Sequence, residues 1–153
     1  MHTPHIGILA GMGPRSTAPF TDLLITECQR QYGAHYDIDF PPMLIYSLPT
    51  PFYLDRPLDH EALITCIQVG LQNLVDAGVA FIAMPCNSVH RYYMRLTNAI
   101  PVPLLNMIDE ATAALPSNAK KIALLATRPT IDGGLYQPAL VVAGRECYHT
   151  EML

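Results

Sequence analysis

Short apolar segments alternate with amphipathic helical segments along this 153-residue chain, and this alternation constrains the fold more than any other feature. Strands are predicted at residues 5–10, 37–47, 79–84, 102–105, 121–126 and 146–151. Helices are predicted between them, at residues 16–31, 59–77, 87–98, 107–115 and 131–143. Strands separated by helices pair in parallel through right-handed crossovers. The predicted fold class is therefore α/β, a parallel sheet flanked by helices.

The same alternation predicts how the chain divides into domains. A new strand, loop and helix begin near Lys121, and the chain ends soon afterwards. We therefore expect a first α/β domain over residues 1–116, which carries Cys86, and an incomplete second α/β domain over residues 117–153. In the first domain, Asp59 is the predicted N-cap of the helix over residues 59–77, and Gly78 is its predicted C-terminal stop.

Charge and cysteine spacing narrow the classes of function. The net charge of -4 leaves no basic surface for nucleic acid, and the apolar runs are far shorter than a membrane span. The first residues have neither the basic nor the long apolar region of a signal peptide. The four cysteines lie far apart, without a CxxC pair. This spacing predicts reduced cytoplasmic thiols, and neither a disulfide framework nor a metal site.

Three loops should carry the chemistry, because ligands of parallel sheets bind outside the carboxyl ends of the strands. These loops span residues 11–17, 48–56 and 85–90. The first, Gly11-Met-Gly-Pro-Arg-Ser-Thr17, partly matches the dinucleotide fingerprint, with Ser16 at the third glycine. The fingerprint also needs an acidic residue at the end of the second strand, where this chain has Tyr46-Ser47, so NAD is rejected. An anion cradle and a turn that needs glycine both remain open.

The third loop contains Cys86-Asn87-Ser88. A thiol at a helix N-terminus is favoured as the thiolate, and Asn87 and Ser88 can cap that helix or present polar groups to a ligand. His90 follows one turn later, where it could tune the thiol. The alternative is a small buried cysteine beside an ordinary helix cap.

Three motifs, taken together, resemble the aspartate/glutamate racemases, which are amino-acid racemases independent of pyridoxal phosphate. The motifs are Ile6-Gly-Ile-Leu-Ala-Gly-Met-Gly-Pro14, Met84-Pro-Cys-Asn-Ser-Val-His90 and Ile122-Ala-Leu-Leu-Ala-Thr-Arg-Pro-Thr130. They occur in the family's order, and the resemblance covers nearly the whole chain. It implies two similar α/β domains with the active site between them and no cofactor. One thiolate removes the α-proton, and a thiol from the other domain protonates the opposite face.

The resemblance also implies site residues. Cys86 corresponds to the first-domain catalytic cysteine. The implied substrate contacts are Gly11, Met12, Ser16, Thr17, Asn87, Ser88, Thr127 and Thr130. The loop after the second strand should hold the side-chain carboxylate of aspartate or glutamate, with Arg56 or Thr50 as the candidate residue.

One departure from the family pattern concerns the second cysteine, which belongs to a Gly-Cys-Thr-Glu-like motif that this chain lacks. Cys147 comes too early, in a predicted strand, and Cys28 and Cys66 fall on predicted helices as core residues. The leading hypothesis is an amino-acid racemase whose truncated chain is inactive or slow alone. The alternatives are a non-catalytic carboxylate-binding or dimerising pseudo-enzyme, or a maleate isomerase or hydantoin racemase. A homodimer is expected, because the exposed side of an unfinished domain favours dimerisation.

Overall fold

The structure, a computed structural model, describes residues 5–53 and 55–149. They form two compact units. The first contains the described residues up to Cys86 together with Met94–Leu105, and the second contains Asn87–Tyr93 and the described residues from Asn106 onward. The expected domain boundary between residues 116 and 117 stays a prediction. No helix in the described part of the chain has the length and apolar character that crossing a membrane requires.

The first unit is built on a three-stranded parallel sheet in the order β2-β1-β3. The strands are β1 (Ile6–Ala10), β2 (Met43–Ser47) and β3 (Phe81–Ala83). Central β1 is apolar and almost completely buried, as expected for a strand with a neighbour on each side and a helix against it. The predicted α/β class with parallel strands is confirmed.

Two long helices belong to this unit, α1 (Thr17–Tyr32) and α2 (His60–Asp76), together with most of a short helix, α3 (Tyr93–Thr97). The Asp59 side chain accepts the Ala62 N–H at 3.0 Å, so its predicted role as the N-cap of α2 is confirmed. Gly78 lies just beyond α2 with φ +80°, as predicted for a helix stop. The buried face of α2 supplies much of the core through Leu63, Ile64, Ile67, Gly70, Leu71 and Leu74.

Two strand predictions in the first unit are wrong in extent. Asp37–Asp39 form a 3-10 helix, and the strand begins only at Met43. The Asp39 carboxylate accepts the backbone N–H groups of Tyr36 and His35 at 2.8 and 2.9 Å, which stabilises a turn and lowers the pKa of Asp39 below its usual value. The strand predicted at residues 102–105 is reduced to a single bridge between Leu104 and Ile82.

The second unit contains a parallel pair of strands, β4 (Lys121–Leu124) and β5 (Glu146–His149). Its helices include α4 (Met107–Ala113), α5 (Arg128–Asp132) and α6 (Gln137–Val142). The chain predicted as a loop up to Thr130 and as one helix over residues 131–143 forms α5 and α6 instead. The break falls at Gly133-Gly134, where Gly134 has φ +60°. Residues 150–151 of the predicted last strand lie outside the described residues.

Arg145 stabilises the connection between α4 and β4. Its guanidinium donates hydrogen bonds to the carbonyl oxygens of Leu115, Pro116 and Ala119. These carbonyls lie beyond the end of α4, and the Pro116 carbonyl also accepts the Ala119 N–H at 3.0 Å. A side chain just before β5 therefore holds the segment between α4 and β4.

Candidate active site

The loops after β1 and β2 meet at the carboxyl edge of the first unit's sheet. Leu48, which follows β2, donates its N–H to the Ala10 carbonyl at the end of β1, at 2.9 Å. Gly11 comes next with φ +93°, and a Cβ on Gly11 would lie 2.6 Å from both the N and the O of Leu48. Only glycine fits this conformation and this close approach. At Gly11, the interpretation as a turn that needs glycine is therefore supported.

Gly13 differs from Gly11 in both respects. Its φ is -88°, which any residue adopts, and a Cβ there would meet no atom within 4 Å. The half-buried Met12 lies between the two glycines, and the Met12–Gly13 peptide is cis. The φ angle and the close approach of Leu48 explain the glycine at Gly11, but neither applies at Gly13, so the anion-cradle interpretation stays open at Gly13.

The two hydroxyl residues predicted in this loop have different surroundings. Pro14–Ser16 form a 3-10 helix that leads into α1, and the exposed Ser16 hydroxyl donates to the Gly13 carbonyl at 2.7 Å. Thr17 Oγ1 is buried and has no hydrogen-bond partner among the described residues. A buried hydroxyl left without a partner costs about 1–3 kcal/mol. Thr17 therefore offers a polar atom that a ligand would satisfy.

Thr50 and Arg56, the two candidate residues in the loop after β2, differ in their exposure and contacts. Phe52 N–H donates to the Thr50 carbonyl at 2.8 Å, which closes a γ-turn around Pro51, and Thr50 is half-buried. Arg56 is exposed and bonded to Asp55, with Nε to Oδ1 at 3.0 Å, and this contact lowers the pKa of Asp55. The Arg56 guanidinium also lies 4.4 Å from the Tyr53 ring centroid. The Arg56 guanidinium therefore already forms an ion pair with a neighbouring carboxylate.

Cys86 is not a core residue. Its N–H donates to the Met84 carbonyl at 2.8 Å, so a γ-turn around Pro85 directly follows β3. The fixed φ of proline suits this turn, and Cys86 is half-buried. The alternative that Cys86 is a small buried residue therefore does not hold.

The three other cysteines have surroundings different from those of Cys86. All four cysteines lie in the described ranges as reduced thiols. Cys28 on α1 is 8% exposed, so its predicted core position is confirmed. Cys66 on α2 is half-buried, with Sγ 3.6 Å from the Pro49 carbonyl, so its predicted core position is wrong. Cys147 lies in β5, as predicted.

The helix predicted after Cys86 has a different form. Ser88–Tyr92 make a 3-10 helix, and a short α3 (Tyr93–Thr97) follows. Asn87 has helical dihedral angles and makes no side-chain cap, so its predicted capping role is wrong. The hydrogen-bond geometry of a 3-10 helix is poorer than that of an α-helix.

The amide of Asn87 has a partner that the sequence did not reveal. The Tyr136 hydroxyl donates to Asn87 Oδ1 at 2.5 Å, and Asn87 itself is exposed. The two residues stand 49 positions apart, and both belong to the second unit. No periodicity or motif links positions at that separation, so only the folded chain identifies this pair.

His90 serves the packing of the second unit. It is 5% exposed, and its Nε2 accepts the Met107 N–H at 3.2 Å at the start of α4. Its ring stacks on that of Tyr93 at 6.2 Å between centroids. An imidazole that accepts at Nε2 carries its proton on Nδ1 and is neutral. His90 therefore has a structural role at Nε2, while its predicted influence on the thiol stays a prediction.

Thr127 and Thr130 lie after β4, in the second unit. Their hydroxyl oxygens are 3.4 Å apart. Thr127 is exposed, whereas Thr130 is 2% exposed and lies within α5. Of this pair, Thr127 is the residue whose hydroxyl solvent and ligands can reach. No group of three or more His, Cys, Asp or Glu side chains within residues 5–53 and 55–149 is arranged to hold a metal ion.

Comparison with known proteins identifies the family. Residues 9–147 match the family model described as Asp/Glu/Hydantoin racemase. The chain belongs to this family. Its curated relatives include the broad specificity amino-acid racemase RacX of Bacillus subtilis (strain 168), with 49% identity over 146 residues, 95% of this chain and 64% of that protein. A glutamate racemase of Aquifex aeolicus (strain VF5) is 35% identical over 78 residues, 49% of this chain and 31% of that protein.

Solved racemase structures share the fold. An aspartate racemase homologue from Pyrococcus horikoshii OT3 matches with a TM-score of 0.83 and 23% identity, over 99% of this chain and 66% of that one. The Picrophilus torridus aspartate racemase matches with a TM-score of 0.80 and 26% identity, over 97% and 63% of the two chains. The chain thus spans just under two thirds of the length of these structures and of RacX. The predicted resemblance to the aspartate/glutamate racemases is confirmed.

Proposed function

We propose that this racemase-family chain acts on the α-carbon of an amino acid and that the Cys86 thiolate removes the α-proton. The observation that carries the proposal is the half-buried Cys86, held by a γ-turn at the carboxyl end of β3. At the carboxyl ends of the two other strands of that sheet, Gly11 and Leu48 meet. The 49% identity to a broad specificity amino-acid racemase supports the reaction class.

Removing an α-proton places negative charge on the α-carbon and its carboxylate. Preorganised donors aimed at that carboxylate stabilise the charge and lower the barrier. We propose that the Thr17 hydroxyl, which has no partner among the described residues, donates to it, together with the Asn87 amide. Further proposed substrate contacts are Gly11, Met12, Ser16, Ser88 and Thr127. The buried Thr130, also implied by the resemblance, is proposed to act through its hydroxyl contact with Thr127. The chemistry is proton transfer between thiol and carbon, so no cofactor is proposed.

Inversion also requires an acid that reaches the opposite face of the α-carbon. The family resemblance assigns that role to a second cysteine, and we propose none of Cys28, Cys66 and Cys147 for it. Cys28 is buried in the core, and Cys147 lies within β5. The activity proposed for these 153 residues is therefore the first half of racemisation, at one face of the substrate.

The proposed substrates are aspartate and glutamate, with the side-chain carboxylate held by Thr50 or Arg56. Arg56 already bonds Asp55, which weakens its attraction for a second carboxylate. This observation favours a second candidate, a site that accepts amino acids more broadly, as the printed name of the Bacillus relative also suggests. Binding of acidic amino acids without any proton transfer is the non-catalytic alternative.

Solvent exchange of the α-hydrogen tests the proposal directly. The chain is incubated with L- or D-aspartate, or L- or D-glutamate, in D₂O, and the α-proton signal is followed by NMR while optical rotation reports inversion. The Cys86 thiolate takes the α-proton, the resulting thiol exchanges it for a deuteron, and that deuteron returns to the same face. We expect deuterium in one enantiomer with its configuration retained, and racemisation slower than this exchange.

The control variants separate Cys86 from other thiols. Cys86→Ser should lower the exchange rate at least about 100-fold, because a positioned acid–base group contributes about 10²–10⁴. Cys66→Ser removes the thiol of another half-buried cysteine and should leave the rate unchanged. Exchange that survives Cys86→Ser would sink the proposal, as would equal exchange of both enantiomers. Binding of an acidic amino acid without exchange would establish the non-catalytic alternative.

We also propose a reducing, cytoplasmic setting and a homodimer, with no nucleic-acid or membrane partner. Four reduced thiols within the described ranges support the reducing compartment. Light scattering coupled to size-exclusion chromatography tests the oligomeric state, and a monomeric mass at micromolar concentration would rule out a stable dimer.

A further inference from the structure

The hydrogen bond between Tyr136 and Asn87 determines which way the Asn87 amide faces. An asparagine side chain has one acceptor oxygen and one donor nitrogen of nearly equal size, so it can turn by half a rotation at little steric cost. The Tyr136 hydroxyl donates to Oδ1. In that orientation, the two N–H bonds of Nδ2 point away from the phenol. Asn87 is exposed, so these donors are accessible to a ligand.

The position of Tyr136 suits it to hold the Asn87 amide in one orientation. It precedes Gln137 at the start of α6, and Gln137 Nε2 donates to the Ile131 carbonyl in α5 at 2.9 Å. The phenol is therefore attached to a segment that is itself hydrogen-bonded to the preceding helix. Partial burial raises the pKa of Tyr136 above its ordinary value, so the hydroxyl keeps the proton that it donates throughout the neutral pH range.

We propose that Tyr136 is a positioning residue for the substrate: its hydroxyl holds Asn87 Oδ1, so that Asn87 Nδ2 donates to the substrate carboxylate. This inference rests on the proposed function, in which Asn87, the neighbour of Cys86 in the chain, contacts that carboxylate. A carboxylate accepts hydrogen bonds only, so an amide turned the other way would present oxygen to oxygen and repel it. The Tyr136 hydroxyl thereby fixes the Asn87 amide, which could otherwise face either way, so that its Nδ2 donates to the substrate carboxylate.

The test compares four forms of the full chain: the wild type, Tyr136→Phe, Asn87→Ala and the double variant. Tyr136→Phe keeps the ring and removes the hydroxyl. The matched control is Tyr148→Phe, whose lost hydroxyl bonds the exposed Glu146 carboxylate at 2.6 Å. Calorimetry gives the affinity for L-aspartate and L-glutamate, and the α-hydrogen exchange assay gives kcat/KM. The ¹⁵N-labelled side-chain amide of Asn87 reports its own hydrogen bonding in the substrate-free protein.

We expect Tyr136→Phe to lower affinity and kcat/KM about three- to tenfold, the effect of one neutral hydrogen bond. Tyr148→Phe should change neither quantity. In the Asn87→Ala background, Tyr136→Phe should have no further effect, because the two residues act through one interaction. The Asn87 amide resonances should move in Tyr136→Phe towards those of an asparagine in water. A merely structural role for Tyr136 would predict neither the loss of effect in the double variant nor this spectral change.

The outcomes separate this inference from the proposed function. If the wild type binds and exchanges amino acids while Tyr136→Phe behaves identically, the positioning role is overturned and the proposed function stands. If the wild type binds no amino acid, the proposed function fails. The NMR signal of the Asn87 amide then tests separately whether Tyr136 orients Asn87. A signal changed by Tyr136→Phe then still supports the orientation of Asn87 by Tyr136, and an unchanged signal overturns it.

Discussion

Replacing Gly11 with alanine should destabilise the first unit strongly, for two reasons that the structure makes explicit. The residue would have to keep φ at +93°, a conformation that costs an L-amino acid about 1–3 kcal/mol. Its Cβ would also lie 2.6 Å from the backbone N and O of Leu48, so the chain must shift, and overpacking of this kind costs about 1–3 kcal/mol more. Because both strains relax together, we expect a total loss of about 2–5 kcal/mol.

The assay is urea and thermal unfolding followed by far-ultraviolet circular dichroism. In a chain of this size, 1 kcal/mol shifts the melting temperature by about 2–4 °C, so Gly11→Ala should melt about 4–20 °C lower. Gly13→Ala is the matched control in the same loop, because its φ of -88° is ordinary and its Cβ would meet nothing within 4 Å. We expect Gly13→Ala to lie within about 0.5 kcal/mol of the wild type. Equal unfolding midpoints for the two variants would refute this account of the loop.

Two further predictions concern side chains that hold local turns. Asp59→Ala should lower the unfolding free energy by about 0.5–2 kcal/mol, because the Ala62 N–H loses its cap; urea unfolding measures this, and Asp59→Asn should recover most of it. The contacts of Asp39 with the N–H groups of Tyr36 and His35 depress its pKa, so they stabilise the fold above the ordinary carboxyl pKa of about 3.9. The stability difference between wild type and Asp39→Asn should therefore shrink as the pH falls from about 5 through the depressed pKa, and a difference that grows would contradict this.

Local patterns predicted a large part of the fold. The alternation of apolar runs with amphipathic segments gave the α/β class, and the parallel pairing of β1, β2 and β3 agrees with it. The acidic residue before α2 and the glycine after it marked that helix correctly. Such features depend on side chains a few positions apart, which the sequence displays directly. The three motifs named the family for the same reason, since each is a short contiguous stretch.

The errors occur where local preference competes with other contacts. The segment after Cys86 has helical propensity, yet it forms a 3-10 helix before α3. The strand predicted over residues 37–47 includes the segment before β2, yet the Asp39 carboxylate closes a turn there by accepting two backbone N–H groups. Cys66 follows the apolar spacing of α2 but packs beside the Pro49 carbonyl at the margin of the core. For Asp39 and Cys66, the partner lies outside the periodic pattern that the prediction used.

By itself, the sequence determined the α/β class, the ends of α2 and the racemase family, because neighbouring residues encode all three. Only the tertiary structure decided why Gly11 must be glycine and what holds the Asn87 amide. The first depends on the Leu48 backbone, 37 positions away in the chain, and the second on the Tyr136 hydroxyl, 49 positions away. Partners at such separations are chosen by packing, which periodicity does not record. The chemistry proposed for Cys86 depends on both kinds of information.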